Sequence, residues 1–386
     1  MKIKNIQAVP VKLRLKEPFR IANVTMYDIF YVVVKVETDN GIVGFGEAAP
    51  AWEVTGETWQ SVVACVNLFT QKSLLGFSLI GQPVNDFEEI QNLINTINPI
   101  SGLQLIASNS SAKAAIEQAI LDIYGKYKNQ PIYSFFGGNN KRIPFTKNIS
   151  IFPIKETIKK VQEGIDDGAN IIRLKIGLPN FDGNPEHTRD IEVINKTYEL
   201  ISQKKRKIML VADANQGFKT VAQAAVFCKK IEGKLDWLEQ PVLAGNLLSF
   251  KQLKAETSIP LMADESMNSY STAEMLLDLG CVDFLNIKLM KTGGIIAALK
   301  IIALAKKYNV KCQIGSMIES QLGTAMGCQL YMCDDSIIST DLNSFNLLSH
   351  QYASGLELDT NLLHLKQNPG TGVTVNMKMV DEYKLL

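Results

Sequence analysis

Short apolar runs in the second half of the chain end on polar residues that recur at a nearly fixed distance. Asp213, Glu239, Asp264, Lys288, Ser316 and Asp341 follow one another at intervals of 26, 25, 24, 28 and 25 residues. The runs KIMLVADAN, LDWLEQP, IPLMADES, VDFLNIKLMK and VKCQIGSMIES, preceded by IIRLKI, read as strands, and amphipathic stretches such as TVAQAAVFCKKI and GGIIAALKIIALAKKY lie between them. A repeated strand and helix of this length is the text of βα units around a parallel sheet. An open sheet would not bring so many consecutive strand ends to one point. A closed barrel does, and its strand ends meet at a single mouth.

The text before about residue 135 differs. YDIFYVVVKVETDNGIVGFGEAAP reads as a hairpin turning at Asp39-Asn40-Gly41, and SSAKAAIEQAILDIYGKYKNQ reads as a helix behind a serine cap. This is an α+β pattern, and no Pro- or Ser-rich linker divides it from the strand repeat, so the two halves are expected to pack closely. A formal net charge of +1 over 386 residues supplies no basic footprint for nucleic acid. No apolar run approaches the roughly 18 residues of a spanning helix, and charges interrupt the N-terminal segment too often for a secretory core, so a cytoplasmic protein without a membrane partner is expected. The six cysteines form no C-x-x-C pair, and the three histidines are far apart in sequence, which disfavours zinc, redox and histidine-based mechanisms.

Taken singly, an Asp after a strand is a helix cap and a lone Lys is a solvated charge. Jointly, Asp213, Glu239 and Asp264 from three consecutive strand ends make an all-oxygen set suited to a hard divalent cation such as Mg²⁺. Lys175 precedes that set and Lys288 follows it, so a closed barrel brings the two amines to the metal from opposite sides. Removing a proton beside a carboxylate produces an enediolate whose charge such a cation stabilises, and a second amine on the other face can return the proton. That combination is an epimerisation. In IIRLKIG, Arg173 and Lys175 share one face of the strand, and a fixed guanidinium beside Lys175 disfavours the charged amine, as a base near neutral pH requires.

These motifs resemble the enolase superfamily, muconate-lactonizing-enzyme subgroup, and most closely its dipeptide epimerases, among them L-Ala-D/L-Glu epimerase. The resemblance rests on GIVGFGEAAP, VTGET, AAIEQAILDIYGK, PIYSFFGG, VADANQG, WLEQP, MADES, NIKLMKTGG and IGSMIES, and covers nearly the whole chain. It implies an α/β fold, a modified TIM barrel (β/α)7β over residues 136–345, with an N-terminal α+β capping domain over 1–135 and a C-terminal segment, 346–386, completing the cap. It also implies one Mg²⁺ per active site on Asp213, Glu239 and Asp264, acid/base roles for Lys175 and Lys288, a small dipeptide as partner, and a homo-oligomer turning over cell-wall peptides.

Two positions depart from the family pattern. Where Lys-x-Lys is common, this chain has Arg173-Leu174-Lys175. Where an Asp-x-Asp clamps the substrate ammonium, it offers Asp341 and Asn343, and an asparagine supplies no charge. The family sets specificity with cap loops, here around residues 16 to 27 and 50 to 60. Arg20 in EPFRIA is expected to pair with a side-chain carboxylate and so to favour L-Ala-L-Glu. Thr146, Arg173 and Ser316 are further expected substrate contacts. An o-succinylbenzoate synthase or a cycloisomerase of the same subgroup would use the same lysines, but its substrate lacks the amine that Asp341 suggests. A sugar-acid dehydratase would need a histidine where CQIGSMIES has none. A binding protein without catalysis on this scaffold is the remaining alternative.

Overall fold

A computed structural model describes residues 1–71, 76–100, 105–106, 108–144, 146–178, 187–359 and 362–385. The chain begins with an antiparallel sheet of β1 (Ile3–Arg20), β2 (Thr25–Thr38) and β3 (Val43–Ala48), in that order. The turn between β2 and β3 is Asp39-Asn40-Gly41, with Gly41 at φ +86°. Helix Ser110–Lys128 lies on this sheet at close range. A Cβ on Gly46 would come within 1.9 Å of the Ala115 carbonyl, which accounts for the glycines of GFGE.

The serine cap expected for that helix is not formed. Its N-cap is Asn109, which makes no capping hydrogen bond. Instead the Glu57 carboxylate, reaching in from the turns ahead of helix Trp59–Thr70, accepts from Ser111 N and Ala112 N, while Ser110 Oγ donates to Met290 O at 2.6 Å. The helix end is thus satisfied from outside, and its serine is a tie to the barrel. The expected cap loop at 16 to 27 is likewise mostly strand. β1 runs to Arg20 and β2 starts at Thr25, so the segment is a hairpin tip whose register shifts between Arg14 and Phe19. Between residues 50 and 60, turns give way to helix Trp59–Thr70 behind a Thr58–Ser61 capping box.

After the short β4 (Ile143–Pro144), eight parallel strands follow in sequential order: β5 (Thr146–Ile149), β6 (Ile171–Lys175), β7 (Met209–Asp213), β8 (Trp237–Glu239), β9 (Leu261–Ala263), β10 (Phe284–Ile287), β11 (Lys311–Ile314) and β12 (Ile337–Thr340). An α-helix follows each strand from β5 to β11, whereas β12 leads into a 3₁₀ turn at Ser344–Leu347, so the architecture is the expected (β/α)7β. The seam between β12 and β5 is closed by side chains. Thr146 Oγ1 donates to Thr340 O, Thr340 Oγ1 to Pro144 O at 3.1 Å, and Asn148 Nδ2 to Asp341 Oδ1.

Strand alternation divides the barrel residues between two environments. Ile172 and Leu174 point outward into the main core beneath the helices. Ile171, Val211, Trp237 and Met262 point inward and form a separate apolar plug. Two residues further along each of these four strands the same inward face carries Arg173, Asp213, Glu239 and Asp264. The charged layer therefore rests on an apolar floor. The C-terminal segment returns to the first sheet, with Leu385 N donating to Pro10 O at 2.9 Å and Lys12 N to Tyr383 O at 3.1 Å.

Candidate active site

Asp213, Glu239 and Asp264 are fully buried, and one carboxylate oxygen from each lies within 4.8 Å of the others. Burial alone would protonate such a trio, and four cations oppose it. Arg173 Nη2 donates to Asp213 Oδ2 and to Glu239 Oε1, both at 2.6 Å, and Nη1 donates to Asp341. Lys175 Nζ donates to Asp213 Oδ2 at 2.5 Å. Lys288 Nζ donates to Asp264 Oδ2 at 2.6 Å, and Lys291 Nζ to Asp264 Oδ1 at 2.5 Å.

The electrostatic outcome differs along the arc. Burial works to raise Asp213 and Asp264, yet Lys175 and Arg173 hold the first below the ordinary carboxylate value, and Lys288 and Lys291 hold the second below it. Glu239 sits between them. Burial, with its acidic neighbours and against Arg173, pushes it up to about 8. Burial would lower Lys288, but Asp264 and Glu265 keep it above the usual lysine value.

β6 and β10 are four strands apart in a ring of eight, so Lys175 and Lys288 stand on facing walls. Both line one cavity together with cap residues Phe19, Met26 and Glu53 and with Ser316. The backbone at this mouth is strained: Asn215, Gln216, Gln240 and Ile318 all have positive φ, of 40°, 65°, 36° and 60°. For Ile318, a β-branched residue, that conformation is a genuine outlier of the kind that collects at functional sites.

The remaining expected residues divide. Ser316 is in the cavity wall, and its Oγ donates to Ser344 Oγ at 2.9 Å. Arg173 lies one layer down, beneath Lys175, with both terminal nitrogens on carboxylates. Asp341 is bound by Arg173 and Asn148, and the Asn343 side-chain oxygen is buried without a hydrogen-bond partner among the described residues. Thr146 starts β5 below the mouth, its hydroxyl committed to the seam. Arg20 pairs across the hairpin with Thr25, its Nε donating to Thr25 Oγ1 at 3.4 Å, whereas Phe19 and its cross-strand partner Met26 face the cavity. Alternation places Arg20 on the other side of the hairpin.

Three contributors had not been expected. Lys291 follows Lys288 by one helical turn, and its Nζ also donates to Asp264 O at 2.5 Å and Asn286 O at 2.9 Å. Asn286, two residues before Lys288 on the same strand face, donates to Glu239 Oε1 at 2.7 Å. Asn148, two residues after Thr146, holds Asp341. For Lys291 and Asn286 a helical or strand period from Lys288 was the available signal.

The trio suits a divalent cation. Its donors are all carboxylate oxygens, and Glu239 Oε2 is buried with no hydrogen-bond partner among the described residues. Comparison with known proteins agrees with the architecture. Residues 156–379 match the family described as enolase C-terminal domain-like, and residues 3–137 match the mandelate racemase/muconate lactonizing enzyme N-terminal domain. An N-succinyl-L-Arg/Lys racemase of Bacillus cereus is 31% identical over 99% of this chain and 98% of its own length. An L-Ala-D/L-Glu epimerase of Clostridium acetobutylicum is 33% identical over 97% of this chain and 99% of its own. A crystal structure of an Enterococcus faecalis dipeptide epimerase, complexed with Mg and L-Leu-L-Tyr, superposes with a TM-score of 0.85 at 29% identity, over 97% of this chain and 100% of that one. With both of its parts matched, the chain belongs to the mandelate racemase/muconate lactonizing enzyme family of the enolase-like fold.

Proposed function

We propose that this chain is a magnesium-dependent dipeptide epimerase that inverts the α-carbon of the C-terminal residue by two-base 1,1-proton transfer. The observation that carries this reading is the placement of two buried lysines at opposite ends of a buried carboxylate trio, in one cavity. Asp213, Glu239 and Asp264 would hold the cation, which when bound stabilises negative charge developing on the substrate carboxylate. Lys175 removes the α-proton from one face, and Lys288, held near Asp264, delivers a proton to the other. The apolar plug beneath the charged layer keeps bulk water from entering from below, so both transfers stay between substrate and lysine.

The substrate's amine is less well provided for. Asp341 is engaged by Arg173 and Asn148, and Asn343 is neutral. That arrangement favours a second reading, a racemase of an N-acylated amino acid, the chemistry named for the B. cereus relative. One assay separates the two. Dipeptides and N-acyl amino acids are incubated with the protein and Mg²⁺ in D₂O, and deuterium at Cα is read by mass spectrometry. Exchange of dipeptides ahead of N-acyl amino acids supports the first reading; the reverse order replaces it with the second.

A further inference from the structure

The acidic dipeptide expected for this protein depended on Arg20, and the hairpin turns Arg20 away from the cavity. The cap-side faces that remain are mostly apolar. Phe19, Ile21 and Met26 line the cavity from the hairpin, with the neutral Asn23 at its tip, Val54 from the loop after β3, and Met317 and Ile318 from the turn after β11. Among the described residues in its lining, the cations are Lys175 and Lys288, both bound to carboxylates of the trio. On the cap side the charged residue in the lining is Glu53.

The far wall of this apolar surface is fixed. Tyr31 Oη, fully buried on β2, donates to Ile318 O at 2.6 Å, and Glu47 on β3 accepts from Ser320 N at 2.9 Å and from the hydroxyls of Ser320 and Tyr352. Ile318 is therefore held in its left-handed conformation from the cap sheet. A wall gripped in this way does not readily turn aside to admit water or a counter-ion.

We infer that the part of the substrate extending from the reacting carbon toward the cap is apolar and carries no anion. A carboxylate there would lose water, meet no cap-side cation among the described residues of the lining, and sit near Glu53, whereas an aliphatic or thioether chain would bury its surface against Phe19, Met26 and Ile318. This inference rests on the epimerase reading and narrows it.

The test measures kcat/KM with Mg²⁺ for L-Ala-L-Leu, L-Ala-L-Met and L-Ala-L-Glu by Cα exchange in D₂O. The apolar dipeptides are expected to exceed L-Ala-L-Glu by about ten-fold or more, the ratio that a little over 1 kcal/mol of differential binding produces. Met26→Arg, which places a cation on the hairpin's inner face, should narrow or invert that ratio. Glu53→Gln, at a half-buried position, should narrow it by raising the value for L-Ala-L-Glu. Equal or better turnover of L-Ala-L-Glu by the unaltered protein overturns the inference while leaving the epimerase reading intact. Absence of exchange with every dipeptide overturns both.

Discussion

Glu117 offers a sharp test of how the cap is joined to the barrel behind Lys288. It is fully buried in helix Ser110–Lys128, and its Oε1 accepts from Ile295 N at 2.5 Å and Ile296 N at 3.1 Å, capping helix Ile295–Lys307. Its Oε2 has no hydrogen-bond partner among the described residues. Gly294 passes so close that a Cβ there would lie 2.2 Å from Oε2. Burial, against the two backbone bonds, pushes the carboxyl from 4.5 up to about 8. The sign follows from proton binding. Between those values the folded protein holds a proton that the unfolded chain has released, so stability falls as pH rises through that window and the loss is complete above it. The interval corresponds to on the order of 5 kcal/mol. Glu117→Gln keeps the accepting oxygen and removes the titration. Other buried glutamates contribute their own pH dependence, so the measurement is the difference between the melting temperatures of the two proteins from pH 5 to pH 9. The variant should match the parent near pH 5 and exceed it by several degrees at pH 9. Parallel profiles would refute the reasoning.

Lys175→Ala and Lys288→Ala should each abolish epimerisation, and full activity in either variant refutes the two-base assignment. Tyr31→Phe leaves the Ile318 carbonyl without its buried donor, which should cost about 1–3 kcal/mol and raise KM; calorimetry and steady-state kinetics check both, and an unchanged KM removes Ile318 from the cavity's working wall. Lys291→Met removes two bonds that orient Asp264, and Mg²⁺ affinity by titration calorimetry should fall about ten- to a hundred-fold.

The barrel and its carboxylate trio were legible because each depends on a local period. An apolar run that ends on a charge, repeated every 25 residues or so, fixes the strand ends even where β8 and β9 are only three residues long. Arg20 was not legible for the opposite reason. Which face of the hairpin it occupies depends on the register shift between Arg14 and Phe19, and a one-residue slip moves every following side chain to the other side. Asn148 was hidden because its partner Asp341 lies across the barrel seam, a neighbour set by how the sheet closes and not by spacing along the chain. Glu117 gave no signal because helix Ser110–Lys128 is buried on all sides from Ser111 to Gly125, so its polar residues do not mark a solvent face.

The substitution of arginine for lysine at position 173 is best understood from the geometry of its contacts. One side chain reaches three carboxylates, on β7, β8 and the end of β12, and it is the cation shared by Glu239 and Asp341, since Lys175 is committed to Asp213 and Lys288 and Lys291 to Asp264. An ammonium concentrates its charge at one atom and cannot face Asp341 on one side and Asp213 with Glu239 on the other. A guanidinium can, since its planar fork points two nitrogens in different directions. Arg173 consequently ties the last strand of the barrel to the carboxylate arc from one layer below the mouth, and it does so with Asp341, the residue expected from the sequence to clamp a substrate amine. The same contact that stabilises the trio also neutralises the Asp341 carboxylate. On the epimerase reading, recognition of whatever extends beyond the reacting carbon then falls to the wall opposite, where Phe19 and Met26 of the hairpin and Ile318 of the turn after β11 present carbon and Glu53 is the cap-side charge among the described residues of the lining, so the hairpin face, more than the ligand arc, is expected to decide which substrate is preferred.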